Sequence, residues 1–398
     1  MNTKEFIAME DQFGAHNYHP LDVVVHEAKG SWVYDVEGRK YLDCLAAYSA
    51  VNQGHCNPKI MDVFMEQAKM VTLTSRAFRN DKLPLLYKKL NEMTGYEMSL
   101  PMNSGAEAVE TAIKLARRWG YDVKGIEKDK AEIVVATGNF HGRTTTIVGF
   151  SDDPSSFGGF GPYTPGFKFH EYGNVEDLKT KINANTAAVM VEPIQGEGGI
   201  VIPPEGYLKA VADLCKENNI LFICDEIQAG LGRSGKLFAH YYEGVRPDMV
   251  IIGKALSGGF YPVSAVLADK SIMLTIKPGQ HGSTFGGNPL AAAVAVKALE
   301  VIEEDNLVQH SYEMGEYFMN KLRAIDSPHI KLVRGRGLWI GFVLDTKARP
   351  YCEKLMEEGI LCKETHDHII RFAPPLVITK EEIDWAAEKI EKVVKELD

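Results

Sequence analysis

The sequence lacks the features that mark membrane, secreted and metal-centred proteins. No run of about 18 apolar residues occurs, and the first twelve residues are polar and acidic, so neither a membrane span nor a secretory signal is expected. The six cysteines form no CxxC pair and no cluster with histidine at metal-ligand spacing. We therefore predict reduced, mostly buried thiols in a cytoplasmic protein that has no metal site.

The chain also has fewer basic than acidic residues. The chain has 44 lysines and arginines against 54 acidic residues, a net charge of −10. This balance argues against a nucleic-acid-binding surface, although a few local cations are enough to bind small anions. At 398 residues the chain is long enough for two domains, or for one large domain with a smaller one.

Several short, continuous apolar runs lie in the middle of the chain, with helical patterns between them. The runs cover residues 133–136, 187–191, 220–224 and 249–252, and the clearest helical patterns cover residues 107–119 and 206–218. Runs without polar alternation are typical of strands buried on both faces, and helices between them favour parallel pairing. The pattern predicts an α/β fold with a mostly parallel sheet flanked by helices.

The pattern changes after a long helix predicted at residues 289–305. A helix–strand–helix sequence follows, ending in a helix at residues 381–397, and two short strands are predicted near the N-terminus at 31–34 and 40–42. We expect a smaller α+β domain formed by the C-terminal part together with the N-terminal segment. The predicted limits are residues 1–48 for that segment, 49–288 for the large domain and 289–398 for the small domain.

Charged residues directly follow three of the apolar runs. Glu192 follows the second run, Asp225 and Glu226 the third, and Lys254 the fourth. Ligands of open α/β sheets bind at the carboxyl ends of the strands, so these side chains are expected to meet at one edge. Each charge taken alone is more often a solvated loop residue. Together they favour a desolvated, nucleophilic lysine able to form a Schiff base, and an aspartate suited to a pyridinium nitrogen.

Two segments suit a phosphate group. Ser104, Gly105 and Ala106 precede the helix predicted at residues 107–119, where free backbone N–H groups and the helix dipole favour an anion. Plain capping of the helix is the alternative. Residues 282–287 also place hydroxyls among glycines, which suits a phosphate or a tight turn.

Two nucleotide-binding motifs can be set aside. Residues 230–235 match G-x-G-x-x-G, but they lie well past their strand and open no helix. A P-loop ending at Lys254 would need glycine at position 248 and serine or threonine at 255, where the chain has Asp248 and Ala255.

Three segments in the same order resemble the class III aminotransferases of fold type I: residues 221–228, 253–259 and 282–289. The resemblance covers nearly the whole chain, and it implies pyridoxal 5'-phosphate as cofactor. It also implies a homodimer, or a larger assembly, with shared active sites. Four further segments (residues 14–20, 48–55, 192–197 and 369–375) are similar to members that act on ornithine.

The resemblance implies a role in cofactor binding for a set of strand-end and loop residues. Lys254 would hold the cofactor as a Schiff base and move the proton, and Asp225 would pair with the ring nitrogen. Phe140 would stack on the ring, with His141 beside it, Glu192 supporting the site and Gln228 reaching the phenolic oxygen. Ser104, Gly105 and Ala106 would hold the phosphate, joined by Ser283 and Thr284 of the partner subunit.

The resemblance also implies a substrate site for ornithine and 2-oxoglutarate. Arg143 would bind the distal carboxylate and Arg371 the α-carboxylate of glutamate, since arginine binds carboxylates in bidentate fashion. Glu197 would neutralise Arg371 while ornithine reacts. Tyr18 would bind the ornithine α-amino group, and Tyr48 would lie near the Arg143 end.

Two other functions stay open at this point. Another class III enzyme could act on N-acetylornithine, 4-aminobutyrate or lysine, although Tyr18 favours a substrate with a free α-ammonium group. A non-catalytic protein could also have kept the fold, but the intact Lys254, Asp225 and both arginines argue against it.

Overall fold

The apolar runs of the sequence form the central strands of a seven-stranded sheet in the computed structural model, which describes residues 1–398. The strands are β1 (Val25–Lys29), β2 (Trp32–Asp35), β3 (Lys40–Asp43), β4 (Met98–Met102), β5 (Glu132–Ala136), β6 (Phe167–His170), β7 (Thr186–Val191), β8 (Leu221–Asp225), β9 (Met249–Ile252), β10 (Ser264–Ala268), β11 (Ile330–Gly335), β12 (Ile340–Leu344), β13 (Ile360–Leu361), β14 (Lys363–Thr365) and β15 (Ile369–Phe372).

The helices surround this sheet and build much of the remaining structure. They are α1 (Thr3–Phe13), the single turn α2 (Ala46–Ser49), α3 (Pro58–Met70), α4 (Leu83–Thr94), α5 (Gly105–Trp119), α6 (Thr145–Val148), α7 (Pro154–Phe157), α8 (Val175–Lys181), α9 (Tyr207–Glu217), α10 (Lys270–Met273), α11 (Pro289–Glu304), α12 (Leu307–Arg323), α13 (Arg349–Glu357) and α14 (Lys380–Leu397). None of them is both long and apolar enough to span a membrane.

The large sheet has the strand order β4-β10-β9-β8-β7-β5-β6. Strands β5 to β9 pair in parallel, and only β10 runs against its neighbours β9 and β4. The predicted mostly parallel sheet is therefore confirmed. Strands β4, β6 and β10 were not predicted. β4 contains Pro101, which lacks an amide hydrogen and is tolerated at a sheet edge. The sequence of β4 therefore does not indicate a strand.

The start of helix α5 is determined by its local sequence. The Ser104 side chain accepts a hydrogen bond from the Glu107 amide (3.3 Å), and the Glu107 carboxylate accepts one from the Ser104 amide (2.9 Å). This capping box starts the helix at Gly105, two residues before the predicted start. Arg117 and Arg118 lie in its last turn, where cations interact favourably with the helix dipole.

Both ends of the chain form the smaller part of the fold. β13 pairs in parallel with β3, so a strand of the C-terminal part joins the N-terminal sheet β1-β2-β3-β13. A second sheet has the order β11-β12-β15-β14. The predicted fold class, with a small α+β unit drawn from both chain ends, is confirmed, while the domain limits stay a prediction.

Candidate active site

The carboxyl ends of β7, β8 and β9, which are neighbours in the sheet, bring three charged side chains together. Glu192, Asp225 and Lys254 line one cavity of about 160 Å³. Phe140, His141 and Gln228 complete its polar and aromatic wall, and Gly105 and Ala106 lie at its margin. The arrangement follows from parallel pairing, because strands that run the same way end at the same edge.

Lys254 begins a short 3-10 turn directly after β9 and has a positive φ of 43°. Burial lowers the pKa of this lysine, and the negative charges of Glu197 and Asp225 oppose that effect in part. A larger fraction of the amine is therefore neutral than in a solvated lysine, which makes Nζ a better nucleophile. This is the chemistry that a carbonyl-bearing cofactor requires.

Asp225 forms a buried pair with His141. Its Oδ2 is 2.7 Å from Nδ1 of His141, and its Oδ1 accepts a hydrogen bond from the Ile227 amide (3.0 Å). Burial by itself would lower the pKa of His141, but the hydrogen bond to Asp225 and the charges of Asp225 and Glu192 raise it overall. Nε2 of His141 is buried and has no hydrogen-bond partner within the chain.

Glu192 holds the two loops that flank the cavity. Its Oε2 accepts from the Phe140 amide (2.9 Å), and its Oε1 accepts from the Gly196 amide (3.3 Å). Burial raises the pKa of Glu192 to about 7, with the charge of His141 opposing the shift and that of Asp225 adding to it. The side chain thus positions Phe140 and the segment that carries Glu197.

The two phosphate segments lie at different places. Ser104 is exposed at the start of α5, and a Cβ on Gly105 would lie 3.1 Å from the Ile227 side chain, so a larger residue there would crowd the cavity wall. Oγ of Ser283 accepts from Nδ2 of Asn103 of the same chain (2.9 Å), while Thr284 is exposed. The reach of Ser283 and Thr284 across a subunit boundary stays a prediction.

A second group of side chains surrounds Arg371, which lies in β15 and is 2 % exposed. Its Nη1 is 2.7 Å from Oε1 of Glu197. Its Nη2 donates to Oε1 of Gln228 (3.3 Å), and Nε2 of Gln228 donates to Oε1 of Glu197 (3.3 Å). The structure therefore brings Glu197 and Arg371 together as an ion pair, as the resemblance implied.

The aromatic ring of Tyr48 packs on this pair. Cζ of Arg371 lies 5.0 Å from the centre of the Tyr48 ring, a distance that permits a cation–π interaction. The predicted position of Tyr48 near the Arg143 end of the substrate stays a prediction. Tyr48 lies in the turn α2, whose backbone direction the sequence does not indicate.

The turn α2 is left-handed, although none of its residues is glycine. Ala46, Ala47, Tyr48 and Ser49 have φ values of 50°, 47°, 56° and 71°. The Ala50 amide donates to the Ala46 carbonyl (2.9 Å) and closes the turn. Left-handed backbone costs about 1–2 kcal/mol for each such residue, and strain of this kind is concentrated at functional sites.

We expect Ala47→Gly to raise the free energy of unfolding by about 0.5–1 kcal/mol, because relief of the left-handed strain exceeds the entropy that glycine adds to the unfolded chain. Ala47 is exposed, so the change removes no buried methyl group. Ala50→Gly is the matched control, since Ala50 has right-handed angles (φ −84°, ψ −26°) and should lose stability. Chemical denaturation at fixed cofactor concentration measures both. Equal losses in the two variants would contradict the prediction.

Tyr18 and Arg143 lie outside the cavity that holds Lys254. Tyr18 is 69 % exposed and lines a separate cavity of about 470 Å³ that Tyr48 also borders. Arg143 is exposed, with Cζ 5.7 Å from the centre of the Phe140 ring. Their predicted contacts with substrate stay predictions.

Sequence reasoning overlooked two residues that hold the Glu197 segment. Oγ1 of Thr365, in β14, donates to the Glu197 carbonyl (2.8 Å), and Nη2 of Arg334, in β11, donates to the Gly199 carbonyl (2.9 Å). Both strands belong to the C-terminal sheet, so this sheet anchors a loop that leaves β7. Neither residue has a distinctive local signal, because β14 consists of polar residues only and β11 contains a second cation.

Two sequence features have structural roles instead of catalytic ones. The Glu226 carboxylate, at the end of β8, accepts from the amides of Ala239 (3.0 Å) and His240 (2.9 Å). Arg233, inside the G-x-G-x-x-G look-alike, is fully buried and donates to the carbonyls of Leu338 and Pro374 (both 2.7 Å). That segment therefore joins the large sheet to the C-terminal part and does not bind a nucleotide phosphate.

The residues of the cavity fit pyridoxal phosphate. The site offers a buried amine at Lys254, a carboxylate at Asp225, an aromatic face at Phe140 and the N-terminus of α5 for an anion. His141 also lines this cavity, and its Nε2 is a buried polar atom without a hydrogen-bond partner in the chain.

Comparisons with known proteins agree with this chemistry. The model of the class III aminotransferase family matches residues 13–394. Relatives called ornithine aminotransferase are 61 % identical in Geobacillus sp. (strain WCH70), covering 98 % of each chain, and 58 % identical in Bacillus subtilis (strain 168), covering 99 % of this chain and 98 % of the relative.

Solved structures give the same picture. The ornithine aminotransferase of Toxoplasma gondii ME49 has a TM-score of 0.98 at 42 % identity, covering 100 % of this chain and 96 % of its own. The acetylornithine aminotransferase of Elizabethkingia anophelis has a TM-score of 0.91 at 47 % identity, with full coverage of both chains. The strand-end lysine, its carboxylate partner and a family match along almost the whole chain lead to one conclusion: the chain belongs to the class III aminotransferases, which depend on pyridoxal phosphate.

Proposed function

We propose that the chain is an ornithine δ-aminotransferase, which transfers the δ-amino group of L-ornithine to 2-oxoglutarate and yields L-glutamate 5-semialdehyde and L-glutamate. The observation that carries the proposal is the ion pair between the buried Arg371 and Glu197 (2.7 Å). The names of the relatives at 58–61 % identity support the same substrate.

The ion pair prevents ornithine from binding with the wrong amine at Lys254. Ornithine has two amines and one carboxylate, whereas glutamate has one amine and two carboxylates. A free Arg371 would bind the ornithine α-carboxylate and present the α-amine to Lys254. With Glu197 bound to Arg371, ornithine must place its carboxylate elsewhere, for which we propose Arg143. Its δ-amine then lies at the reacting end.

In the proposed mechanism pyridoxal phosphate, when bound, supplies an electron sink for the carbon that carries the amine. Nζ of Lys254 would hold the cofactor and, as the free amine, would accept the proton that leaves Cδ of ornithine. The carboxylate of Asp225, which is paired with His141, would keep the ring nitrogen of the cofactor protonated. In the second half-reaction Glu197 releases Arg371, which binds the α-carboxylate of 2-oxoglutarate.

The nearest alternative substrate is N-acetylornithine, because the Elizabethkingia anophelis structure carries that name at 47 % identity. The test is to load the purified protein with cofactor and add ornithine, N-acetylornithine or 4-aminobutyrate. We expect ornithine to bleach the yellow absorbance and 2-oxoglutarate to restore it. Activity with N-acetylornithine and none with ornithine would overturn the substrate, and inertness toward all three amines would overturn the activity.

A homodimer with shared active sites is part of the proposal. The exposed Phe78 (72 %) and Phe285 (45 %) support it, because a subunit interface would cover them, and Phe285 directly follows Thr284. Sedimentation velocity should give twice the mass of the chain, and a monomer would refute the shared site. A cytoplasmic location also belongs to the proposal and agrees with six free cysteines.

A further inference from the structure

Gln228 connects the Arg371 pair to the cavity that holds Lys254. It follows β8 by three residues, is 8 % exposed, and lines the same cavity as Asp225 and Lys254. Its carboxamide donates to Oε1 of Glu197 and accepts from Nη2 of Arg371, both at 3.3 Å. One side chain therefore contacts both members of the ion pair.

The carboxamide of Gln228 suits both contacts. Its NH2 group donates to the carboxylate while its carbonyl oxygen accepts from the guanidinium, so one neutral group serves both charged partners. The three side chains thus form a closed ring of contacts: Glu197 to Arg371, Arg371 to Gln228, and Gln228 to Glu197.

Packing around the amide is tight. A Cβ on Gly196 would lie 2.7 Å from Nε2 of Gln228 and 2.8 Å from Cζ2 of Trp339. Any side chain at position 196 would therefore displace the carboxamide from its place. Gly196 directly precedes Glu197. The segment that carries Glu197 therefore also leaves room for the carboxamide of Gln228, which contacts Glu197.

We propose that Gln228 is a positioning residue that stabilises the closed Glu197–Arg371 pair and thereby sets the preference between a diamino monocarboxylate and a dicarboxylate substrate. The inference rests on the proposed function, in which Arg371 must be closed for ornithine and open for 2-oxoglutarate. The amide can hold both contacts together only while Arg371 and Glu197 stay paired, so Gln228 makes opening less favourable. At 3.3 Å both contacts of the amide are long for hydrogen bonds. They are therefore weak enough for a dicarboxylate ligand to displace.

Glutarate is the probe, because it has two carboxylates but no amine or keto group to react. On the holoenzyme, Gln228→Leu should lower the Kd of glutarate about fivefold, the size expected when one net hydrogen bond no longer holds the closed pair. Gln228→Glu should raise that Kd, because a second carboxylate beside Arg371 competes with the ligand. Titration calorimetry with saturating cofactor measures both, and Gln228→Glu keeps the test valid if the leucine variant does not fold.

Gln195→Leu is the matched control. Gln195 is also a buried glutamine and lies in the segment that carries Glu197, but its amide donates to the Thr137 carbonyl (2.7 Å). Its loss should leave the glutarate Kd unchanged.

A double-mutant cycle identifies the route of the effect. In a Glu197→Ala background the pair no longer exists, so Gln228→Leu should have no further effect on glutarate binding. Equal effects in both backgrounds, or an unchanged Kd in the single variant, would overturn the proposal. Glutarate binding does not depend on the amino donor. Failure of ornithine as a substrate can therefore be distinguished from failure of the proposal for Gln228.

Discussion

Replacement of Lys254 by alanine is expected to reduce turnover with ornithine and 2-oxoglutarate at least about a thousandfold, since one side chain serves as both the nucleophile and the proton carrier. The lowered pKa of its buried amine suits both tasks. Single-turnover absorbance changes and steady-state product formation measure the loss.

The control for this variant is Lys209→Ala. Lys209 lies in α9 with an exposed amine paired to Asp213, so the same chemical change should leave turnover unaffected. Partial rescue of Lys254→Ala by a small primary amine would assign the lost activity to the missing amine. A near-wild-type rate without rescue would show that Lys254 does not carry the chemistry.

Glu197→Gln is expected to shift the enzyme from ornithine toward glutamate. The substitution keeps the size of the side chain and removes the charge that neutralises Arg371 at 2.7 Å. Arg371 is buried but the Glu197 side chain is 32 % exposed, so loss of its charge costs less than the about 3–5 kcal/mol of a fully buried pair. A dicarboxylate recovers part of this cost by binding the freed guanidinium. We expect the ratio of kcat/KM for glutamate to that for ornithine to rise at least about tenfold.

Measurement of both half-reactions by cofactor absorbance tests this shift. Glu205→Gln provides the matched control, because Glu205 is an exposed glutamate of the loop that precedes α9. A Glu197 variant with an unchanged ratio would mean that the ion pair does not select between the substrates.

Much of the cofactor cavity was predictable because it depends on local patterns and one general rule. Continuous apolar runs indicated the buried strands β7, β8 and β9, and parallel pairing brings their ends together. Glu192, Asp225 and Lys254 could therefore be placed at one edge before any contact was known. The start of α5 was likewise predicted to within two residues from residues adjacent in sequence.

The substrate side was much less predictable from the residues themselves. Glu197 and Arg371 are distant in sequence, and their pairing was implied by resemblance only. The left-handed backbone of Ala46–Ser49 has no sequence signal, since alanine, tyrosine and serine all favour negative φ. The contact of Tyr48 with Arg371, which depends on that turn, was therefore not predicted.

The strand-end lysine and its neighbouring acids were predictable from local sequence, because hydrophobic patterning acts over a few residues and indicates where each buried strand ends. The contacts across the large sheet and the C-terminal sheet depend on tertiary packing: Arg371 with Glu197, Gln228 between them, and Thr365 on the loop. These contacts join residues that are far apart in the chain, and their geometry follows from how the two sheets pack.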